Sequence, residues 1–415
     1  MNPLNVFLLA AALSAPAAAV TAACNAGHET LLTRSPTGLG EARAAWLDAH
    51  RLRWAGVDPG DGPIRLLHSK RGQLSLVEGE AVRGADAALK LDAVEALPPT
   101  PIAQGFSHIG PGVTLAVRVA DRQRLREWHR GQLLLVQQDR QGRLLRATSV
   151  QMGGALDDLY AAAEAVSDLG VKLREKQTAF KLWAPTAQHV ALCIYPRGDA
   201  KATSMLPMKR DPRSGIWSAR VRKNLAGRYY AYAVDVFVRG KGLVRNLVTD
   251  PYSLSLTTDS KRSYVADLNA AALEPAGWET APRPGRVAHP VDMVIYELHV
   301  RDFSAADKTV NAAHRGKYLA FTNNASDGMK HLQSLSQAGV TDVHLLPVFD
   351  VATVQERGCA VPAVPEAAPD SPLQQAAVMA QAAADCFNWG YDPYHFTAPE
   401  GSFATDAADG AGRIR

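Results

Sequence analysis

Apolar and polar positions change rhythm along this chain, and the changes divide it. From about Ala42 to Val150, short period-two segments recur at 64–68, 73–77, 113–119, 133–136 and 144–150, the last two joined through Asp139-Arg140-Gln141-Gly142. Short strands with polar, glycine-marked turns predict a small β-rich domain. Trp46 and Trp54 open it and are expected in its core. Leu156, Leu159, Ala163, Val166 and Leu169 then recur three and four apart with Gly170 just beyond, which predicts an amphipathic connector helix ending at a glycine cap. Alternation returns at 179–186, 189–195, 215–221 and 228–236, and strands at this spacing predict a β-sandwich. Trp183 and Trp217 are read as its core, with a sugar-facing role as the alternative.

Pro275, Pro282, Pro284 and Pro290 mark a boundary, beyond which the pattern changes in kind. Residues 292–300 are almost continuously apolar, as in a parallel strand covered on both faces. Ser326 or Asp327 can cap a helix presenting Met329, Leu332 and Leu335, Gly339 stops it, and residues 340–349 form a second covered strand. This predicts a β-α-β unit, with functional groups at the carboxyl ends of its strands. His299, Arg301, Asp302, Pro347, Phe349 and Asp350 are the rim candidates, a structural hydrogen bond being the alternative for each. An insertion follows, with a helix start at Ser371-Pro372.

The stretch Phe387-Asn388-Trp389-Gly390-Tyr391-Asp392-Pro393-Tyr394-His395-Phe396, continued to Asp406, holds six aromatics, two glycines, two prolines and three acids in twenty residues. Gly and Pro break helix and strand, and carboxylates resist burial, so a rigid aromatic-lined loop is expected. Flat apolar faces beside hydrogen-bonding groups suit a sugar ring; a packed surface loop is the alternative.

Composition is that of an ordinary globular protein: 415 residues, 47% hydrophobic and 21% charged. A net charge of +4 with no Lys/Arg block argues against a nucleic-acid partner and suits a neutral one. Residues 6–13 form an apolar run too short to span a bilayer, followed by two Ala-x-Ala patterns within 15–19, so an export signal over 1–23 is expected. With no Lys or Arg before Phe7, a buried hydrophobic N-terminus is the alternative. Thr21-Ala22-Ala23-Cys24 resembles a lipoprotein cleavage box, which would place an acyl anchor on Cys24. With Cys24 lipidated or removed and Cys193 buried on a strand, Cys359 and Cys386 become the disulfide pair. No His or Cys spacing resembles a structural zinc site.

Val294-Ile295-Tyr296-Glu297-Leu298-His299-Val300-Arg301-Asp302-Phe303-Ser304 resembles the first barrel strand of pullulanases, the starch-debranching branch of the α-amylase superfamily. Asn388-Trp389-Gly390-Tyr391-Asp392-Pro393, with Pro399-Glu400-Gly401-Ser402-Phe403, is similar to that family's signature loop. Phe180-Lys181-Leu182-Trp183-Ala184-Pro185-Thr186-Ala187 resembles the starch-binding-type sandwich module preceding the barrel, and the Trp46-Leu47-Asp48 region a further N-terminal domain.

The resemblance implies a multidomain chain: a β-rich domain over 24–154, a helical connector over 155–170, a β-sandwich carbohydrate-binding-type module over 171–284, and from 285 the start of a truncated (β/α)8 TIM barrel. It implies a secreted or periplasmic monomer acting on α-1,6 branches of an α-glucan, with retention, and allows structural calcium. Tyr391 would stack on the sugar and Asp392 would contact hydroxyls or fix the loop, with Trp389 and His395 as secondary contacts. Glu297 reads as a structural strand residue. The 126 residues from Pro290 to Arg415 are too few for a barrel of roughly 250, so the catalytic carboxylates are expected beyond Arg415 and the chain alone is expected to be inactive. The alternatives are a non-catalytic glucan-binding protein and an α-1,4-acting amylase relative.

Overall fold

The computed structural model describes residues 21–94, 100–285 and 287–415. The apolar run and Ala-x-Ala sites of the expected leader lie outside the described residues. No described helix is long and apolar enough to cross a membrane.

The chain first contributes a strand, β1 (Glu29–Arg34), to a sheet whose other members lie two hundred residues away. It then closes a barrel from β2 (Ala44–Trp46), β3 (Arg51–Ala55), β4 (Ile64–Ser69), β5 (Ala87–Ala93), β6 (Gly112–Val117), β7 (Gln132–Gln138) and β8 (Leu144–Gln151). Its order is β2-β3-β6-β5-β4-β7-β8, and β8 returns beside β2. Trp46, Trp54, Leu66, Leu115 and Leu135 fill the interior, so both tryptophans are core. Residues 73–77, expected as a strand, contribute only an isolated bridge, Ser75 to Arg83.

The connector departs from its expected form. Its helix, α1 (Gly153–Leu159), stops at Tyr160, and Gly170 opens a strand at φ +82°. Tyr160 is the cause: its hydroxyl donates to the Arg126 carbonyl at 3.0 Å and accepts from Arg210 at 2.8 Å, anchoring the chain at the domain junction.

Two sheets then pack as a sandwich. One has β9 (Gly170–Arg174), β10 (Gln177–Trp183), β13 (Lys209–Arg210) and β14 (Ile216–Val221). The other has β11 (His189–Tyr195), β12 (Ser204–Pro207), β15 (Tyr229–Val238), β16 (Gly242–Val248) and β17 (Ser263–Tyr264), with β1 on its edge. Phe180, Leu192, Trp217, Tyr230 and Tyr232 meet between them. Cys24 is buried and disulfide-bonded to Cys193 on β11. The sulfur that a lipid anchor on Cys24 would use is the one bonded to Cys193 in this structure. Cys24 and β1 also belong with the sandwich, which moves the start of the first domain from 24 to the barrel's first strand. Arg130, donating to the Ala187 and Gln188 carbonyls at 2.9 and 2.7 Å, ties barrel to sandwich.

Beyond Pro290, β18 (Ile295–Leu298) and β19 (Asp342–Leu345) pair in parallel across α2 (Asp327–Gln337), whose Ser326 cap accepts from Met329 N. The strands were expected to be covered on both faces, yet Ile295 is 56% exposed and Val294, Val343 and Leu345 are exposed with it. Together they make one β-α-β unit, and among the described residues no third parallel strand lies against it. β20 (Phe349–Val351) instead pairs antiparallel with β21 (Pro393–Pro399) through two register shifts. Cys359 and Cys386 are disulfide-bonded across the insertion, which carries α3 (Pro372–Met379) capped by Ser371.

Candidate functional site

The aromatic stretch is part loop, part strand, because irregular pairing with β20 tolerates the prolines at both ends of β21. Its loop, 387–392, is held by its own polar groups. Asn388 Oδ1 accepts from Gly390 N at 2.7 Å, and its Nδ2 donates to Thr353 Oγ1 at 2.7 Å and to Asp392 Oδ2 at 3.3 Å. Thr353 also donates to Asp392 Oδ2. Gly390 sits at φ +87°, where a Cβ would lie 2.9 Å from Pro347 Cβ, so the turn requires glycine. His299 Nε2 donates to the Asn388 carbonyl at 2.8 Å, and its ring packs on Phe387, 5.5 Å between centroids.

This scaffolding leaves two rings in solvent: Trp389, 60% exposed and edge-on to Phe387, and Tyr391, 71% exposed. A fixed backbone presenting free aromatic faces can stack on a sugar's CH face at little entropic cost. Asp392 fixes the loop: Oδ2 takes Thr353 and Asn388, and Oδ1 is enclosed with no partner among the described residues. His395 does not join the wall. It alternates to the inner face of β21, buried, with Nδ1 2.7 Å from Asp350 and Nε2 2.8 Å from Thr249 Oγ1, so its expected sugar contact is corrected.

Of the rim candidates, the structure brings His299, Pro347 and the loop together; Arg301 and Asp302 pair beside them at 2.8 Å, and Phe349 packs on Phe396. Glu297 is exposed on its strand, 3.2 Å from His344. Asp350 anchors a buried network that sequence reasoning missed. Its carboxylate accepts from Ser260 Oγ at 2.7 Å and from Arg413 Nη2 at 3.0 Å, and Arg413 also meets Glu356 at 3.2 Å. Burial pushes the Glu356 carboxyl up to about 7 despite the Arg413 charge, and pushes Glu400 up also. The only local signal is a pair of left-handed non-glycine residues, Asp259 and Ser260, invisible before the backbone is known.

Asp350, Glu356 and Glu400 place carboxylate oxygens within 4.8 Å of one another, the geometry a divalent cation would need. They do not fit calcium, which takes six to eight oxygen ligands. Arg413 already supplies the positive charge, and Glu400 is taken by the Val351 and Ser402 amides at 2.9 and 2.7 Å.

Residues 41–158 match the Pullulanase N2 domain, and residues 168–253 match carbohydrate-binding module 48, the isoamylase N-terminal domain. A pullulanase from Klebsiella pneumoniae is 36% identical over 425 aligned residues, 92% of this chain and 38% of that protein. Pullulanase 1, chloroplastic, from Arabidopsis thaliana is 34% identical, covering 88% of this chain and 38% of its own length. The crystal structure of apo pullulanase from Klebsiella pneumoniae matches with a TM-score of 0.80 at 34% identity, over 93% of this chain and 46% of that one. The chain thus spans 38% of the length of these curated relatives.

Proposed function

We propose, for a chain that belongs with the pullulanases and carries the Pullulanase N2 and carbohydrate-binding module 48 domains of their N-terminal portion, that it is the glucan-recognising part of a starch-debranching glycoside hydrolase. The full reaction is hydrolysis of α-1,6 branch linkages in pullulan, amylopectin or glycogen fragments with retention. The observation that carries the reading is the braced loop that holds Trp389 and Tyr391 in solvent beside the ends of β18 and β19.

Retaining chemistry needs a nucleophile and an acid/base carboxyl roughly 5 Å apart facing the sugar. The clustered acids here, Asp350, Glu356 and Glu400, are buried behind the wall and committed to Arg413, Ser260 and backbone amides, so the chain alone binds without turnover. Export to an oxidising compartment is part of the same reading, supported by two disulfides and the apolar N-terminal run. The test is native electrophoresis through amylopectin. The chain should be retarded, W389A/Y391A less so, and pullulan incubated with the chain should yield no maltotriose. Equal mobility of the parent with and without amylopectin would refute the reading.

A further inference from the structure

The outer face of the four-stranded sheet gathers charges that the sequence scatters. Strand alternation turns Phe180, Leu182 and Trp217 into the sandwich core, so the residues between them face outward. On that outer face the register sets Ala179 between Lys172 of β9 and Arg220 of β14, and Ser218 between Lys181 of β10 and Lys209 of β13. Arg174 stands across from Gln177, one row further along. Lys172, Arg174, Lys209 and Arg220 are exposed. Strand geometry puts the two cations of a row about 10 Å apart and neighbouring rows about 7 Å apart. No two of these five cations are adjacent in sequence, so no Lys/Arg block announces the face.

The charge is not balanced locally. Asp168 takes Lys181 at 2.6 Å and lies within reach of the Lys172 charge, but Lys172, Arg174, Lys209 and Arg220 form no ion pair among the described residues. Glu175, in the turn between β9 and β10, lies between Arg174 and Lys176, and Arg222 and Lys223 carry the basic surface past the end of β14. Trp183 ends the same face. It was expected in the sandwich core, yet it is 39% exposed, while Trp217, paired across from Leu182, is buried. Its indole is fixed, Nε1 donating to the Ser214 carbonyl at 3.0 Å. Cations spread over a sheet and bordered by a held indole have the chemistry of a surface that meets a bilayer: basic residues are drawn to anionic headgroups, and Trp rests at the headgroup level. A single-stranded nucleic acid is followed along a track of charge and stacked rings, whereas these cations extend in two dimensions.

We propose that this sheet face docks on a membrane leaflet rich in anionic phospholipid, with Lys172, Arg174, Lys181, Lys209 and Arg220 over the headgroup phosphates and Trp183 at the headgroup level. It goes beyond the glucan reading above and does not depend on it, since it uses none of the residues of the 387–392 loop. Attachment of this kind needs neither an acyl chain nor a spanning helix, and salt reverses it.

Sedimentation of the full chain with lipid vesicles at low ionic strength tests it. The chain should pellet with vesicles of equal parts phosphatidylcholine and phosphatidylglycerol, stay in solution with phosphatidylcholine alone, and be released by added sodium chloride. K172E/R220E should weaken the binding at least about tenfold, while K90E/R140E, the same charge change on the exposed surface of the first barrel, should leave it within about threefold. All four side chains are exposed, so both variants should melt with the parent. Failure to pellet with the anionic vesicles would overturn the proposal, as would an equal loss in the two variants, which would reduce the effect to net charge. Binding of DNA that K172E/R220E abolishes, with the vesicles left unbound, would overturn it in favour of a nucleic-acid face. None of these results alters retardation in amylopectin, so the glucan reading stands or falls separately.

Discussion

His129 and Glu356 show how burial alone can set the pH limits of this chain. His129 is enclosed in the first barrel, Nδ1 bonded to the Leu125 carbonyl at 2.8 Å and the ring 4.9 Å from Trp46, and burial pushes its pKa down to about 4. The unfolded chain protonates this histidine near 6.5 and the folded one does not, so stability present above that pH is lost as pH falls toward 4, by about 3 kcal/mol at most. H129Q should flatten the fall of Tm across that window. Glu356 has the opposite sign. Its folded pKa of about 7 exceeds the ordinary 4.5, so the stability of its neutral form is lost as pH rises through that range. E356Q should therefore gain in Tm on the parent between those two values, and a gap constant with pH would refute this. Neither behaviour is legible in sequence, since it depends on which distant side chains exclude water.

At the scale of elements, the strands with clean alternation were readable: β11 spans the expected residues, and β14 and β15 lie within two residues of theirs. What failed was decided by distant partners. The helix expected to reach Leu169 ends at Leu159 because Tyr160 is pinned by Arg126 and Arg210, and β1 is a strand only because β16 is there to pair with it. The aromatic loop was legible from its Gly, Pro and aromatic content, while the inward turn of His395 was not. G390A should lower glucan affinity several-fold with little change in Tm, because its clash with Pro347 is local to the loop. Replacing Cys359 and Cys386 by serine opens a 27-residue loop and should cost roughly 3 kcal/mol, read by urea titration.

Across the whole molecule, the third segment is held to the sandwich by Arg413, whose guanidinium meets Asp350, Glu356 and the Thr257 carbonyl. R413A would leave two buried carboxylates facing each other without a cation, and a loss of roughly 3–5 kcal/mol is expected, confined in hydrogen exchange to residues near 350–415. The order of domains was readable because each has its own periodicity; the ties between them, Arg130, Gln188 and Arg413, carry no local signature. The exposed faces of β18 and β19 also depart from the covered strands their apolar sequence implied. The central claim is that this chain recognises α-glucan without cleaving it. The direct measurement is mobility of the whole chain through amylopectin gels, with maltotriose release from pullulan assayed on the same preparation. Retardation with no maltotriose is the predicted result; unretarded migration, or steady release of maltotriose, would contradict it.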